Sequence, residues 1–178
     1  DVSVTFDSFS HSTVSIGKDI ATTGRNSGVF GGFANTINGN YSAIIGGNNN
    51  SVTGDYSVVV GSQDESIFKG YVANIGSQDN TVSSNYVVML SSNENELSGR
   101  YQTIIGDNNV VSGVDVFVAG DNNQIDADNV IVMGSAVKVD YDNNWVVNMS
   151  STALAQPSNT HQVIWMVDNA VSINTSNV

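Results

Sequence analysis

Short apolar runs alternate with turns rich in Gly, Asn and Asp along most of the 178-residue chain. The pattern repeats every fifteen residues, and a tyrosine opens each of five successive copies: Tyr41, Tyr56, Tyr71, Tyr86 and Tyr101. After Tyr101 the glycines Gly106, Gly120 and Gly134 show that the period shortens to fourteen. A fixed short period predicts a solenoid, because each repeat must stack on its neighbours to bury its apolar face.

Each repeat predicts two β-strands, because its apolar runs are short, rich in β-branched residues and free of proline. In the second strand, a column of apolar residues has polar neighbours on both sides, which places the column in the core. That column contains Ile37, Val52, Ile67, Val82, Leu97, Val111 and Ile125. The predicted fold class is therefore all-β, a parallel β-solenoid or β-roll with coils of 14–15 residues.

The first strand of each repeat is apolar on both faces. We assign the alternating positions that begin at Ala43 and Ile45 to the interior, so the other face points outward. That outward face contains Val29, Ile44, Val59, Met89, Ile104, Val118 and Val132, interrupted at Asn74. Strands that are apolar on both faces are covered on both faces, so we expect identical rods to associate through these seven apolar residues. The alternative is a loop or the C-terminal segment folded over the same face.

The two ends of the chain depart from the repeat. Residues 1–10 predict an N-terminal strand that caps the solenoid, and residues 11–140 form the repeat domain. Residues 141–178 predict a small β-rich module, which contains both tryptophans and the only proline. Its apolar runs suit a cap on the last coil. Its aromatic residues suit a ligand-binding tip, for which the candidates are Tyr141, Trp145, His161 and Trp165. Because the first residue is Asp1, we expect the chain to be a piece of a longer protein.

Charge and composition narrow the class of partner. The chain has 5 Lys and Arg against 17 Asp and Glu, which gives a formal net charge of -12. This balance argues against nucleic acid and anionic membranes as partners. No apolar run approaches the roughly 20 residues that cross a bilayer, so membrane insertion is not expected. The chain has no cysteine, so its stability must come from packing, hydrogen bonding or assembly.

Candidate catalytic and metal-binding groups are sparse. Neither His11 nor His161 has a nucleophile-elbow motif nearby. The carboxylate pairs would need a cleft to cleave a glycan; they are Asp64 with Glu65, Glu94 with Glu96, and Asp126 with Asp128. The Asn- and Asp-rich turns suit calcium, but tight turns need the same residues. Polar columns on the second strand are too interrupted for ice binding. We therefore expect no catalytic residue, no metal and no cofactor.

Several repeats resemble a known family. The runs HSTVSIGKDIATTG, YSVVVGSQDESI and NVIVMGSAVKV resemble the head repeats of trimeric autotransporter adhesins. The runs NTINGNYSAIIGG and NSVTGDYSVVVGS are similar to repeats of phage and algal-virus fibre proteins. The resemblance covers roughly residues 12–139. It implies a left-handed β-roll, a homotrimer with the first strands toward the threefold axis, and an extracellular location on a bacterial cell surface or a virion fibre tip. The opening tyrosine and the fifteen-residue spacing depart from the adhesin pattern.

The expected function is non-enzymatic attachment to a cell surface as a homotrimer. The expected partner is a glycan or a surface protein of a target cell, recognised by the C-terminal tip. Two alternatives remain open. One is a polysaccharide-cleaving fibre enzyme with carboxylates between subunits, and the other is a purely structural fibre spacer.

Overall fold

The computed structural model of the protein describes residues 2–6, 12–150 and 155–167. Within these ranges the chain is all-β and forms a parallel β-solenoid of about 10 turns, with about 15 residues per turn. The fold class predicted from the repeat is confirmed at this level. The strands in chain order are β1 Val2–Phe6, β2 Ser12–Lys18, β3 Ala21–Thr22, β4 Ser27–Phe33, β5 Thr36–Ile37, β6 Ala43–Ile45, β7 Ser51–Val52, β8 Val58–Val60, β9 Ser66–Ile67, β10 Val72–Ile75, β11 Thr81–Val82, β12 Asn85–Leu90, β13 Glu96–Leu97, β14 Arg100–Ile105, β15 Val110–Val111, β16 Val114–Ala119, β17 Gln124–Ile125, β18 Val130–Gly134, β19 Lys138–Val139, β20 Trp145–Met149 and β21 Val163–Val167.

The strands form two sheets. A long sheet of 12 strands has the order β1-β2-β4-β6-β8-β10-β12-β14-β16-β18-β20-β21, and a second sheet of 9 strands has the order β19-β17-β15-β13-β11-β9-β7-β5-β3. The coils stack in parallel and in register, so that Ile44 pairs with Val59 and Val59 pairs with Asn74. The predicted N-terminal strand is β1, which pairs antiparallel with β2.

Two columns of apolar side chains fill the interior. The second-strand column from Ile37 to Ile125 is buried, as the sequence predicted. The first strands contribute a column that is also completely buried: Val29, Ile44, Val59, Met89, Ile104, Val118 and Val132. Together these columns form one continuous core along the solenoid.

The sequence-based assignment of the two faces of the first strand is wrong. The seven residues expected at a trimer interface, from Val29 to Val132, have no exposed surface within a single chain, so a second copy cannot contact them. Ile45, which was assigned to the interior, is 48% exposed. Alternation could not decide the direction because both faces are apolar. Side-chain volume distinguishes the faces, since a close-packed interior needs similar volumes in successive coils, whereas the outer positions range from Ala43 to Trp145.

The outward-facing positions of the long sheet form an apolar surface, which we call the outer apolar face. The face consists of two columns of side chains, one that runs through Val58 and Ile131 and one that runs through Ile45 and Met133. Neither column contains a charged residue. Its exposed members are Phe30, Ile45, Val58, Ile75, Val88, Leu90, Ile105, Ile131 and Met133, followed by Trp145, Val163 and Trp165 on the last two strands. A large apolar patch of this kind marks an interaction surface.

Buried asparagine side chains connect the turns of successive coils. Asn109 Nδ2 donates to Asn95 Oδ1 at 2.9 Å, and Asn123 Nδ2 donates to Asn109 Oδ1 at 2.9 Å. We call this column the asparagine ladder; its positions are Asn35, Asn50, Glu65, Asn80, Asn95, Asn109 and Asn123. The turns thus use Asn to satisfy backbone and neighbouring side-chain groups.

The solenoid continues beyond residue 140, where the sequence analysis ended the repeat domain. The β20 strand pairs in parallel with β18, and β21 pairs in parallel with β20. The described part of segment 141–178 therefore extends the long sheet. The period hid this continuation because Trp145 pairs with Val163, eighteen residues later. Residues 1, 7–11, 151–154 and 168–178, and with them His11, lie outside the described residues.

Candidate ligand-binding site

A groove of about 390 Å³ lies near the C-terminal end of the long sheet. Its apolar side is built by neighbouring outward residues of β18, β20 and β21, and its polar side by corner residues. The lining side chains are Ile131, Trp145 and Val163 on the apolar side and Asn129, Asn143, His161 and Gln162 on the polar side. The groove thus brings together two of the four candidate residues, Trp145 and His161. We call it the tip groove.

The polar side of the tip groove is positioned by a repeated backbone corner. Asn129, Asn143 and His161 have φ angles of 56°, 59° and 59°, in the left-handed region. The N–H of Asn129 donates to the carbonyl of Val114 at 2.8 Å, and the N–H of Asn143 donates to that of Asp128 at 2.9 Å. Asparagine tolerates this conformation better than most residues. The three side chains therefore stand in a row, one per coil.

The apolar side is held by the strands and by one buried amide. The N–H of Trp145 donates to the carbonyl of Gln162 at 2.9 Å. Asn144 is buried, and its Oδ1 accepts the N–H of Gln162 at 2.8 Å. Trp145 itself is exposed. A site built on strands and fixed by buried hydrogen bonds is preorganised for a ligand.

The other two candidate residues lie apart from the tip groove. Trp165 is exposed on β21, where it pairs with Val147 on the outer apolar face. Tyr141 is exposed in the corner between β19 and β20. Neither the Tyr141 nor the Trp165 side chain lines the groove. The groove also contains Asn129, Asn143 and Gln162, which the sequence analysis missed. The signal for the first two was their position in the column of the opening tyrosines.

The arrangement suits recognition of a polar ligand with an apolar face. The exposed indole of Trp145 offers a flat apolar surface, while the amides of Asn129 and Asn143 offer both donors and acceptors. A sugar ring combines these two needs, because its C–H groups pack on an aromatic ring and its hydroxyls bond to amides. The site is therefore chemically matched to a glycan.

The two carboxylates of the candidate pair Asp64 and Glu65 lie in different environments. Glu65 is completely buried, and burial raises its pKa to about 7. Its neighbour Asp64 lies at the surface, where a hydrogen bond from Asn49 at 2.7 Å lowers its pKa. Asp128 Oδ1 instead accepts the N–H of Val114 at 2.8 Å as part of a corner. In these positions the carboxylates serve turns and packing.

The part of the chain that the structure describes lacks two kinds of feature, a cluster of metal-binding side chains and a membrane-spanning helix. No group of three or more His, Asp, Glu or Cys side chains is placed there to hold a metal ion. The same residues contain no helix that is long and apolar enough to cross a membrane. Comparison with protein-family models and with curated proteins finds no match.

Proposed function

We propose that the protein is a non-enzymatic attachment protein, an adhesin head or fibre-tip domain that binds a glycan of a target cell in the tip groove. The observation that carries this proposal is the position of Trp145 and His161 in one groove beside the last strands of a stacked rod. In this proposal the end of the rod that carries the groove points away from the structure that bears it, so the groove meets the target first. The corresponding location is extracellular, on a bacterial cell surface or a virion fibre.

The attachment protein acts as a homotrimer in this proposal. Between Phe30 and Ile105, seven large apolar side chains of the outer apolar face are each 38–48% exposed, and a large apolar patch of this kind marks an interaction surface. The face has no charged residue that would oppose the contact. We assign two further copies of the chain as its occupants. The threefold symmetry and the left-handed coil rest on the resemblance to adhesin heads.

Assembly through this part of the face leaves the tip groove for the ligand. We assign the contact between copies to the part of the face that ends at Ile105, whereas Ile131, Trp145 and Val163 line the tip groove on the last strands of the sheet. Assembly and ligand binding therefore depend on different residues. Each can be changed without changing the other.

A glycan array with the full chain tests the attachment role. We expect wild-type protein to bind a limited set of glycans and Trp145→Ala to weaken that binding at least tenfold, since the indole is lost. Tyr141→Ala is the matched control, because Tyr141 has the same 43% exposure as Trp145 but lies outside the tip groove. Unchanged binding by Trp145→Ala would remove the groove from the proposal. Absence of both glycan and target-cell binding by wild type would favour the structural spacer, and release of soluble sugar would favour the enzyme.

A further inference from the structure

The five opening tyrosines form a continuous exposed row, which we call the tyrosine edge. Neighbouring rings from Tyr41 to Tyr101 stack with centroids 4.8–5.0 Å apart and planes within 9–18°. Each tyrosine is 43–52% exposed. The row therefore presents ring edges and hydroxyl groups to solvent at the spacing of the stacked coils.

The backbone at the tyrosine edge is strained. All five tyrosines have φ between 53° and 61°, a left-handed conformation that bulky residues rarely adopt. The same corner is held by an asparagine in other coils, for example Asn129 and Asn143, at lower strain. Strain that recurs at a surface row, where a less strained residue would serve the fold, points to a function of the side chains.

Positive charge is concentrated beside this edge. The chain has only five Lys and Arg, and three of them, Arg25, Lys69 and Arg100, lie at the corner residues that precede the tyrosine position. The other two are engaged elsewhere: Lys138 Nζ lies 2.9 Å from Asp140, and Lys18 Nζ lies 5.3 Å from the centroid of the Phe33 ring. Within a chain of net charge -12, this edge is locally cationic.

One coil also opens a notch of about 360 Å³ beside the edge, and its lining includes Tyr56, Phe68, Lys69 and Tyr71. The coils opened by Tyr41, Tyr56 and Tyr101 have a glycine two residues before the tyrosine; at Gly54 a Cβ would lie 1.7 Å from the carbonyl oxygen of Lys69. In the next coil the glycine is Gly70, one residue before Tyr71. Lys69 occupies the position two residues before the tyrosine, and its side chain is exposed. Phe68 beside it is 52% exposed, although it adds nothing to the buried core.

We propose that the tyrosine edge from Arg25 to Arg100 is a binding track for a linear acidic polysaccharide, anchored in the notch at Phe68 and Lys69. The Phe68 ring packs against the C–H face of a sugar ring, and the Lys69 ammonium pairs with its carboxylate or sulfate. Asp55 also lines the notch; its Oδ1 accepts hydrogen bonds from the N–H and Nδ2 of Asn40, and its Oδ2 accepts from sugar hydroxyls.

An extended polymer reaches the outlying cations as well. Coils stack about 4.8 Å apart, so Arg100 lies roughly 10 Å and Arg25 roughly 14 Å along the stack from Lys69. Among the described residues Lys69 has no ion pair, so its charge is available. Arg100 extends over the last ring of the row, with its guanidinium carbon 5.1 Å from the Tyr101 centroid. The tyrosine hydroxyls between these cations supply hydrogen bonds to each successive sugar.

Calorimetric titration of the full chain with an oligogalacturonate octamer tests this track, and a heparin octasaccharide provides the sulfated arm. We expect binding of at least one probe, weakened about tenfold by Lys69→Met and about fivefold by Phe68→Ser. The affinity should fall with rising salt, because the contact is ionic. The fully methyl-esterified octamer lacks the carboxylates and should bind at least tenfold more weakly than the free acid if the carboxylate is the recognised group.

Matched variants separate the track from general electrostatics and from the tip groove. Lys138→Met removes the same charge away from the tyrosine edge and should leave binding unchanged, as should Trp145→Ala. Equal losses in Lys138→Met and Lys69→Met, or no binding of either probe by wild type, would overturn the proposal. If only Trp145→Ala lost binding of the acidic probes, the acidic glycan would lie in the tip groove, and the proposed track would also be overturned. Binding of only one probe supports the track and identifies its anionic group.

Discussion

Asn80 Nδ2 donates a hydrogen bond of 3.0 Å to Glu65 Oε1 inside the asparagine ladder. Elsewhere in the ladder an asparagine also donates to the preceding coil, as Asn50 does to Asn35 at 2.9 Å, but a glutamate has no amide to donate. Glu65 Oε2 and both side-chain polar atoms of Asn74 have no hydrogen-bond partner in the buried interior. Glu65 and Asn74, which lie in adjacent coils, therefore mark the least satisfied part of the core.

Glu65 makes stability depend on pH. Burial raises its pKa from 4.5 to about 7, so the folded chain keeps a proton that the unfolded chain releases. The free energy of unfolding should therefore fall by up to about 3 kcal/mol as pH rises from about 4.5 to about 7. Glu65→Gln should remove this contribution and stabilise the protein at pH 8, as measured by urea unfolding.

The matched control for Glu65 is Glu96→Gln. It removes the same charge from an exposed strand position. If Glu96→Gln flattened the pH dependence as much as Glu65→Gln, the effect would come from net charge rather than from burial.

Removing an interior rung of the asparagine ladder should be costly. Asn109 Nδ2 donates to Asn95 Oδ1 and to the carbonyl of Gly120, both at 2.9 Å, and Asn109 Oδ1 accepts from Asn123. Asn109→Ala orphans these buried partners and should lower the free energy of unfolding by about 3 kcal/mol. Asn108→Gly is the exposed control one residue earlier, because glycine adopts the φ of 56° at Asn108 without strain, and it should change the free energy of unfolding by less than about 1 kcal/mol. If the Asn109 variant and the Asn108 control lowered the free energy of unfolding by similar amounts in thermal or urea unfolding, the stabilising role of the ladder would be contradicted.

The direction of the first-strand faces can be tested at neighbouring residues of β18. Val132 is completely buried and Ile131 is exposed. Val132→Ala should destabilise the chain by about 2 kcal/mol, because it leaves a cavity in the core. Ile131→Ala should cost less than about 1 kcal/mol, although it removes more atoms. A larger loss for Ile131→Ala in urea unfolding would restore the face assignment made from the sequence.

The sequence predicts the period, the two strands per coil and the second-strand core column, because polar neighbours flank residues such as Val52 and Leu97. It does not reveal which face of the first strand is inside, because Ile44 and Ile45 are equally apolar. Two residues that line the tip groove, Trp145 and His161, were among the ligand-binding candidates predicted from the sequence. Trp145 and His161 were evident as unrepeated aromatic and imidazole residues, but their proximity depends on the eighteen-residue step from Trp145 to Val163.

The tyrosine edge should contribute little to stability. Tyr71→Asn loses two stacking contacts, each about 0.5–1.5 kcal/mol. It also relieves left-handed strain of about 1–2 kcal/mol. The free energy of unfolding should therefore change by no more than about 1 kcal/mol. Tyr71→Val should destabilise the chain by about 2 kcal/mol, because a β-branched residue loses the stacking and increases the strain. If urea unfolding showed equal losses, the tyrosines would be there for stability rather than for binding.

Sedimentation equilibrium of the wild-type chain tests the homotrimeric assembly most directly. The proposed homotrimer predicts a single species of three times the chain mass. The triple variant Ile45→Ser, Ile75→Ser and Ile105→Ser changes only outward positions and should sediment as a folded monomer with an unchanged circular dichroism spectrum. A monomeric wild type over the whole accessible concentration range would contradict the account.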